Sequence, residues 1–223
     1  MKLASLKLAS LALLLGGADQ TRAASILYTN KADFLAATSG LTTINFNGIA
    51  PKNNFIAYGP GPLTLSGVTF TSNGFLYVID PGYYSFPYTN GGFLTSDFIN
   101  PDKVMAVGLP AGTTAVGFDF GALFAGGGVT TFTIDLSTGE HFTASTTGSP
   151  QTNNLGFVGF TSDTPIASLT ITMPDADFFN AIDNFAFGAG VPAPEPATIT
   201  LLGVGIAGMA VYGRRRMKHR CPV

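Results

Sequence analysis

Between residues 41 and 187 the chain repeatedly places apolar side chains at every second position, in runs too short for ordinary helices. Val116, Phe118 and Phe120 fall on one side of such a run. Phe132, Ile134 and Leu136 do the same in the next, and Leu169, Ile171 and Met173 in a third. A repeat of two sends alternate side chains to opposite faces of a strand, so each run carries one apolar face that must be covered. Further strands are expected at 41–46, 63–65, 68–70, 75–79, 104–109, 140–145, 157–160 and 182–187. Asn47-Gly48, Ser66-Gly67 and Asp80-Pro81-Gly82 supply turns between them, and Ser137-Thr138-Gly139 predicts a hairpin. One helix is expected before the strands: Asn30 caps it, Asp33 sits in its first turn, Phe34 to Ala37 form its apolar face and Gly40 stops it. About ten short strands with turns between them predict an all-β fold: an antiparallel, jelly-roll-like β-sandwich with one short N-terminal helix.

Charge narrows the function classes. Only 11% of residues are charged and tryptophan is absent. Between Ala24 and Val191 three lysines (Lys31, Lys52 and Lys103) stand against eleven acids, a net of −8. Such a domain offers no cationic surface for phosphates, so nucleic acid is not an expected partner. Cys221 is the single cysteine, which leaves no intramolecular disulfide; it reads as a bystander rather than a lipidation site.

Both ends are set apart from the middle. Residues 1–23 read as a secretory signal peptide. Lys2 and Lys7 are its basic start and Leu8 to Ala18 its apolar run. Thr21 and Ala23 occupy the −3 and −1 positions of a cleavage site. Signal peptidase and the Sec machinery are therefore expected partners. The passenger domain is placed at 24–190 and a tail at 191–220. The tail opens with Val191-Pro192-Ala193-Pro194-Glu195-Pro196, extended because proline removes donors and disfavours helix before it. An apolar run at 197–212 follows, about 24 Å long as a helix and marginal for spanning a bilayer. Gly203, Gly205, Ala207 and Gly208 give it a small-residue face, and Arg214, Arg215, Arg216, Lys218 and Arg220 close the chain as a cytoplasmic basic cluster.

The order of Pro194-Glu195-Pro196, glycine-rich apolar run and arginine triplet resembles the PEP-CTERM sorting signal of Gram-negative bacteria. The resemblance implies recognition by exosortase, a membrane-embedded cysteine protease or transpeptidase. Pro194, Glu195, Pro196, Arg214, Arg215 and Arg216 would be the recognised residues. It also implies transient insertion in the inner membrane, then the cell surface or an extracellular, biofilm-type matrix, with exopolysaccharide as a candidate partner. Asn30 to Phe46, Gly117-Phe118-Asp119-Phe120-Gly121 and Ile182-Asp183-Asn184-Phe185 resemble passenger domains of other PEP-CTERM proteins. That second resemblance implies a carbohydrate-binding-like sandwich without a known activity.

Groups for catalysis are few. His141 is the only histidine of the passenger region and Glu140 its only glutamate. No Gly-x-Ser-x-Gly elbow surrounds a serine, and no strand carries paired acids of the glucanase kind; Asp135 and Glu140 straddle a turn instead. The chain is read as no enzyme. The alternatives are a secreted hydrolase of surface polysaccharide and a binding domain whose anchor is never cut. No cofactor is expected. Calcium is the candidate ion, with Asp175, Asp177 and Asp183 as oxygen ligands, against the plainer reading of Asp183 as a cap for backbone N–H groups. Tyr83, Tyr84 and Tyr88 are the candidate sugar-contacting aromatics; the plainer reading has these rings cover an open end of the core.

Overall fold

The computed structural model describes residues 24–59, 61–96, 103–123, 128–173 and 179–191. The chain divides into two compact units, Met1–Gly190 and Val191–Val223. The expected signal peptide and the expected membrane span at 197–212 lie outside the described residues. Among the described residues no helix is long and apolar enough to cross a membrane.

The described residues form fourteen strands: β1 (Ser25–Tyr28), β2 (Thr38–Ile44), β3 (Phe55–Gly59), β4 (Leu63–Leu65), β5 (Val68–Ser72), β6 (Leu76–Ile79), β7 (Phe93–Ser96), β8 (Lys103–Gly108), β9 (Ala115–Leu123), β10 (Thr130–Leu136), β11 (His141–Thr146), β12 (Gly156–Ser162), β13 (Ser168–Met173) and β14 (Phe179–Gly190). They form two sheets in which all recorded pairings are antiparallel. The larger runs β1-β12-β9-β14-β7-β6-β3, with β2 also on β14; the smaller runs β11-β10-β13-β8-β5-β4. The 12-residue β14 has β9 along one side. β7 and β2 share the other, one after the other.

The alternation explains the sandwich. Val116, Phe118 and Phe120 of β9 meet Phe132 and Ile134 of β10, Ile171 and Met173 of β13, and Phe185 of β14 in one core, all at most 2% exposed. Fully burying each such side chain contributes roughly 1.5–3 kcal/mol. The predicted hairpin at Ser137-Thr138-Gly139 joins β10 and β11. Ser66 and Gly67 both take positive φ, 50° and 83°, and make the two-residue turn between β4 and β5 whose twist suits a hairpin.

The helix α1 (Lys31–Ala36) forms where expected, with Asn30 Oδ1 accepting from the N–H of Ala32 (2.8 Å) and of Asp33 (3.4 Å). It does not end at Gly40. Ala37 closes it, the Thr38 hydroxyl takes the Phe34 carbonyl at 2.9 Å, and Gly40 already lies in β2 with φ 60°. Asn30→Ala should cost about 0.5–2 kcal/mol of unfolding free energy, read from a urea titration, because two helical N–H groups lose their acceptor. An unchanged midpoint would mean that α1 is held by Phe34 alone.

Strands β1, β3 and β7 were not expected from the sequence. Each has only four or five residues, and β1 and β3 are edges of the larger sheet. Pairing with a neighbour, not local pattern, makes them strands.

An aromatic cleft on the outer face of the larger sheet

The inner face of the larger sheet meets the core; two smaller apolar clusters sit on its outer face. One gathers Phe34, Ala115 and Ala186 beneath α1, with Tyr28, Leu41 and Phe157 against them. The other gathers Ile79, Tyr88, Phe93, Leu123 and Ala181, with Tyr77, Phe86, Leu155 and Phe179 against them. The period of two sorts these residues: Leu76 and Val78 of β6 point into the core, Tyr77 and Ile79 outward.

At the second cluster the surface opens into a cleft of about 180 Å³, lined by Phe55, Tyr77, Ile79, Tyr83, Tyr84, Thr95, Leu123 and Phe179. Phe55 comes from β3, Tyr77 from β6 and Thr95 from β7, where it pairs directly with Tyr77. Tyr83 and Tyr84 come from the loop after β6, where Pro81–Tyr83 make one 3-10 turn. Asp80 fixes that loop. Its Oδ1 accepts from Gly82 N–H at 3.0 Å and from Asn53 N–H at 2.9 Å, tying the tyrosines to the segment that leads into Phe55. A Cβ on Gly82 would overlap Asn53 Oδ1, so a larger residue there would have to displace that side chain. Among the described residues no charged side chain lines the cleft. Thr95 is 1% exposed and its Oγ1 has no hydrogen-bond partner among the described residues. A buried hydroxyl without a partner carries a desolvation cost that a ligand can relieve.

Tyr83 and Tyr84, 43% and 39% exposed, line this cleft; Tyr88 does not. Tyr88 turns inward, 5% exposed, and donates to Asp183 Oδ2 at 2.6 Å. Asp183 is fully buried, and its Oδ1 accepts from Asn184 N–H at 2.6 Å, so it caps a backbone N–H at a bulge in β14. The Asn184 side chain donates to Asp119 at 2.8 Å, and Lys31 donates to the same carboxylate at 3.1 and 2.8 Å. Burial pushes the Asp183 carboxyl up to about 7; the bonds from Tyr88 and Asn184 oppose this, Asp119 adds to it and Lys31 lessens it. Burial, and then the carboxylate beside it, raises the Tyr88 phenol well above its ordinary value, so it remains the donor.

Of the three expected calcium ligands, Asp175 and Asp177 lie outside the described residues, and Asp183 is enclosed by Tyr88 and Asn184. Among the described residues no three His, Cys, Asp or Glu side chains converge to hold a metal ion. His141 and Asp135 pair across the β10–β11 hairpin, 61% and 52% exposed. Glu140 Oε1 accepts from Ser25 N–H at 3.1 Å, fastening β1. Burial raises the Glu140 carboxyl, but bonds from Thr138 and Ser25 outweigh this and hold it below its ordinary value.

Phe55, Tyr77, Thr95 and Phe179 were not foreseen in the cleft. The alternation within Leu76-Tyr77-Val78-Ile79 was the one local signal, since it sends Tyr77 away from the core. The others are brought together by the pairing order of β3, β6, β7 and β14.

A protein-family model described as the PEP-CTERM protein-sorting motif matches residues 192–216. The chain carries a PEP-CTERM sorting motif. It begins two residues after β14 ends and includes Pro194, Glu195, Pro196 and the arginine triplet. Comparison with curated proteins gives no match. Among solved structures, the sandwich is similar to a family 61 carbohydrate-binding module in complex with β-1,4-galactotriose. That pair has 16% identity and a TM-score of 0.31, over 56% of this chain and 89% of that one. It is also similar to a family 29 module at 12% identity and TM-score 0.34, over 71% and 99% of the two chains. A third is the family 11 module from Clostridium thermocellum in complex with a β-1,3-1,4-mixed-linked tetrasaccharide, at 13% and 0.32, over 70% and 99%. All three likenesses are distant.

Proposed function

We propose that this chain is exported from a Gram-negative cell and sorted by exosortase to the surface or matrix, where its sandwich holds polysaccharide without catalysing a reaction. The sorting motif directly behind the last strand carries this reading. In this scheme Sec and signal peptidase handle residues 1–23. The run at 197–212 enters the inner membrane with Arg214, Arg215 and Arg216 on the cytoplasmic side, and exosortase recognises Pro194, Glu195 and Pro196. The open aromatic cleft supports a binding role for the sandwich. An array of neutral rings with a buried hydroxyl and, among the described residues, no charged lining fits sugar rings better than it fits acid–base chemistry, which needs titratable groups at the reacting bond.

Changing Pro194, Glu195 and Pro196 together to alanine should reduce the surface-delivered fraction by about tenfold or more and leave precursor in the membrane fraction. Intact mass of envelope and medium protein from the native host reads this directly. Delivery at the wild-type level, or a chain still ending at Val223 on the surface, would overturn the sorting reading.

A further inference from the structure

The cleft is the middle of a longer feature. Phe75 and Tyr77 have ring centroids 6.3 Å apart, Tyr77 and Phe55 5.7 Å, Phe55 and Tyr83 5.0 Å, Tyr83 and Tyr84 4.7 Å, and Tyr84 and Phe86 5.0 Å. Six rings from β3, from β6 and the residue just before it, and from the loop after β6 thus form one continuous band. Four of them are at least 36% exposed: Phe55, Phe75, Tyr83 and Tyr84. Among the described residues these are the only exposed aromatics. The remaining exposed large hydrophobics are aliphatic: Ile26, Leu27, Leu35, Val129 and Val191. Among the described residues every exposed phenylalanine and tyrosine belongs to this one band.

We infer that this band is a track for a neutral glycan chain several hexose units long, with Thr95 Oγ1 taking a hydroxyl of the sugar seated in the cleft. The inference rests on the polysaccharide-holding reading above and names its site and ligand class. An aromatic face is electron-rich and attracts the polarised C–H groups of a pyranose, while the tyrosine hydroxyls serve the sugar's polar rim. A band of six rings reaches past one sugar, so successive units meet successive rings and affinity grows with chain length. The cleft of about 180 Å³ is small beside the roughly 300–1,000 Å³ of small-molecule pockets, as suits one unit of a polymer that continues along the band. Charge selects further. Among the described residues the lining has no cation to neutralise a uronate, and the domain's net charge of −8 repels one.

The test uses the full chain, with gluco- and manno-oligosaccharides of one to six residues and oligogalacturonates of the same lengths, read by calorimetry. Expected are binding of a neutral series, at least tenfold tighter for six residues than for one, and no comparable binding of the galacturonates. Phe55→Ala and Tyr83→Ala should each weaken the hexasaccharide about tenfold with only a modest fall in the thermal midpoint, since neither ring is in the core and both are partly exposed, 36% and 43%. Thr95→Val should weaken it severalfold. No binding to either neutral series, affinity independent of length, preference for galacturonate, or indifference to both ring variants would each overturn the track. So would a dimer that Phe55→Ala and Tyr83→Ala dissociate in sedimentation, because the band would then be a surface for a second copy. Retention on polysaccharide from the host envelope separates the two readings. If the Phe55→Ala/Tyr83→Ala chain is retained as well as wild type, the track fails and the broader reading stands. If wild type is not retained, the broader reading fails and takes the track with it.

Discussion

Phe34→Ala should lower the unfolding free energy by about 3–5 kcal/mol, the usual cost of removing a fully buried aromatic side chain. Phe34 is the one buried residue of α1, and it fills a hollow that the larger sheet makes for it. Gly117 of β9 and Gly159 of β12 lie directly opposite one another in register. A Cβ on Gly159 would stand 2.6 Å from the Phe34 ring, and one on Gly117 2.9 Å from it. Two facing glycines thus remove the side chains that would otherwise occupy the space, and Tyr28 and Phe157 close it at ring distances of 5.9 and 5.4 Å. Gly159→Ala should therefore destabilise the wild-type chain but be nearly neutral when Phe34 is alanine. A coupling of about 1–3 kcal/mol is expected, within the range for residues in contact. Urea unfolding of the four chains in the cycle measures it. Strict additivity would show that the glycines are there for another reason.

The second large effect is on pH. Unfolded, Asp183 titrates at its ordinary value of 3.8; folded, it titrates at about 7. The folded chain therefore binds the extra proton between these values. The stability that this proton gives is complete below about pH 4 and is lost as pH rises through 7. The difference of about 3 between the two values corresponds to on the order of 4 kcal/mol. Denaturation at intervals from pH 4 to 8 should show stability falling over that window, and Asp183→Asn should remove most of the slope. If the variant kept the wild-type slope, another group would be responsible. Tyr88→Phe, which deletes the phenol that donates to the carboxylate, should raise the Asp183 value further and leave the ionised form poorly held.

The sandwich was legible where strands alternate over six or more residues. In β9, β10 and β13 the sequence itself sorts the inner face from the outer. The hairpin turns were equally plain, because Ser66-Gly67 and Ser137-Thr138-Gly139 satisfy a local requirement on φ. What could not be read was anything set by residues far apart in the chain. The hollow that Gly117 and Gly159 leave for Phe34 exists only because β12 pairs with β9. Tyr88 looked like a fellow of Tyr83 and Tyr84, and its true partner is Asp183, 95 residues further on. Two of the eight lining residues, Tyr83 and Tyr84, were visible as tyrosines on a loop. Phe55, Tyr77, Thr95 and Phe179 join them because β3, β6, β7 and β14 lie in that sheet at those registers.

The position of β14 has a mechanical meaning. Tension on the chain beyond Gly190 enters lengthwise along a strand that neighbours grip on both sides, β9 on one and β7 with β2 on the other. Its hydrogen bonds run across the direction of pull. They must shear together, whereas a strand at the rim of a sheet can be peeled away one bond at a time. A pull applied at this end therefore loads the pairings with β9, β7 and β2 in shear, and the load passes into the middle of the sheet instead of unzipping one rim strand.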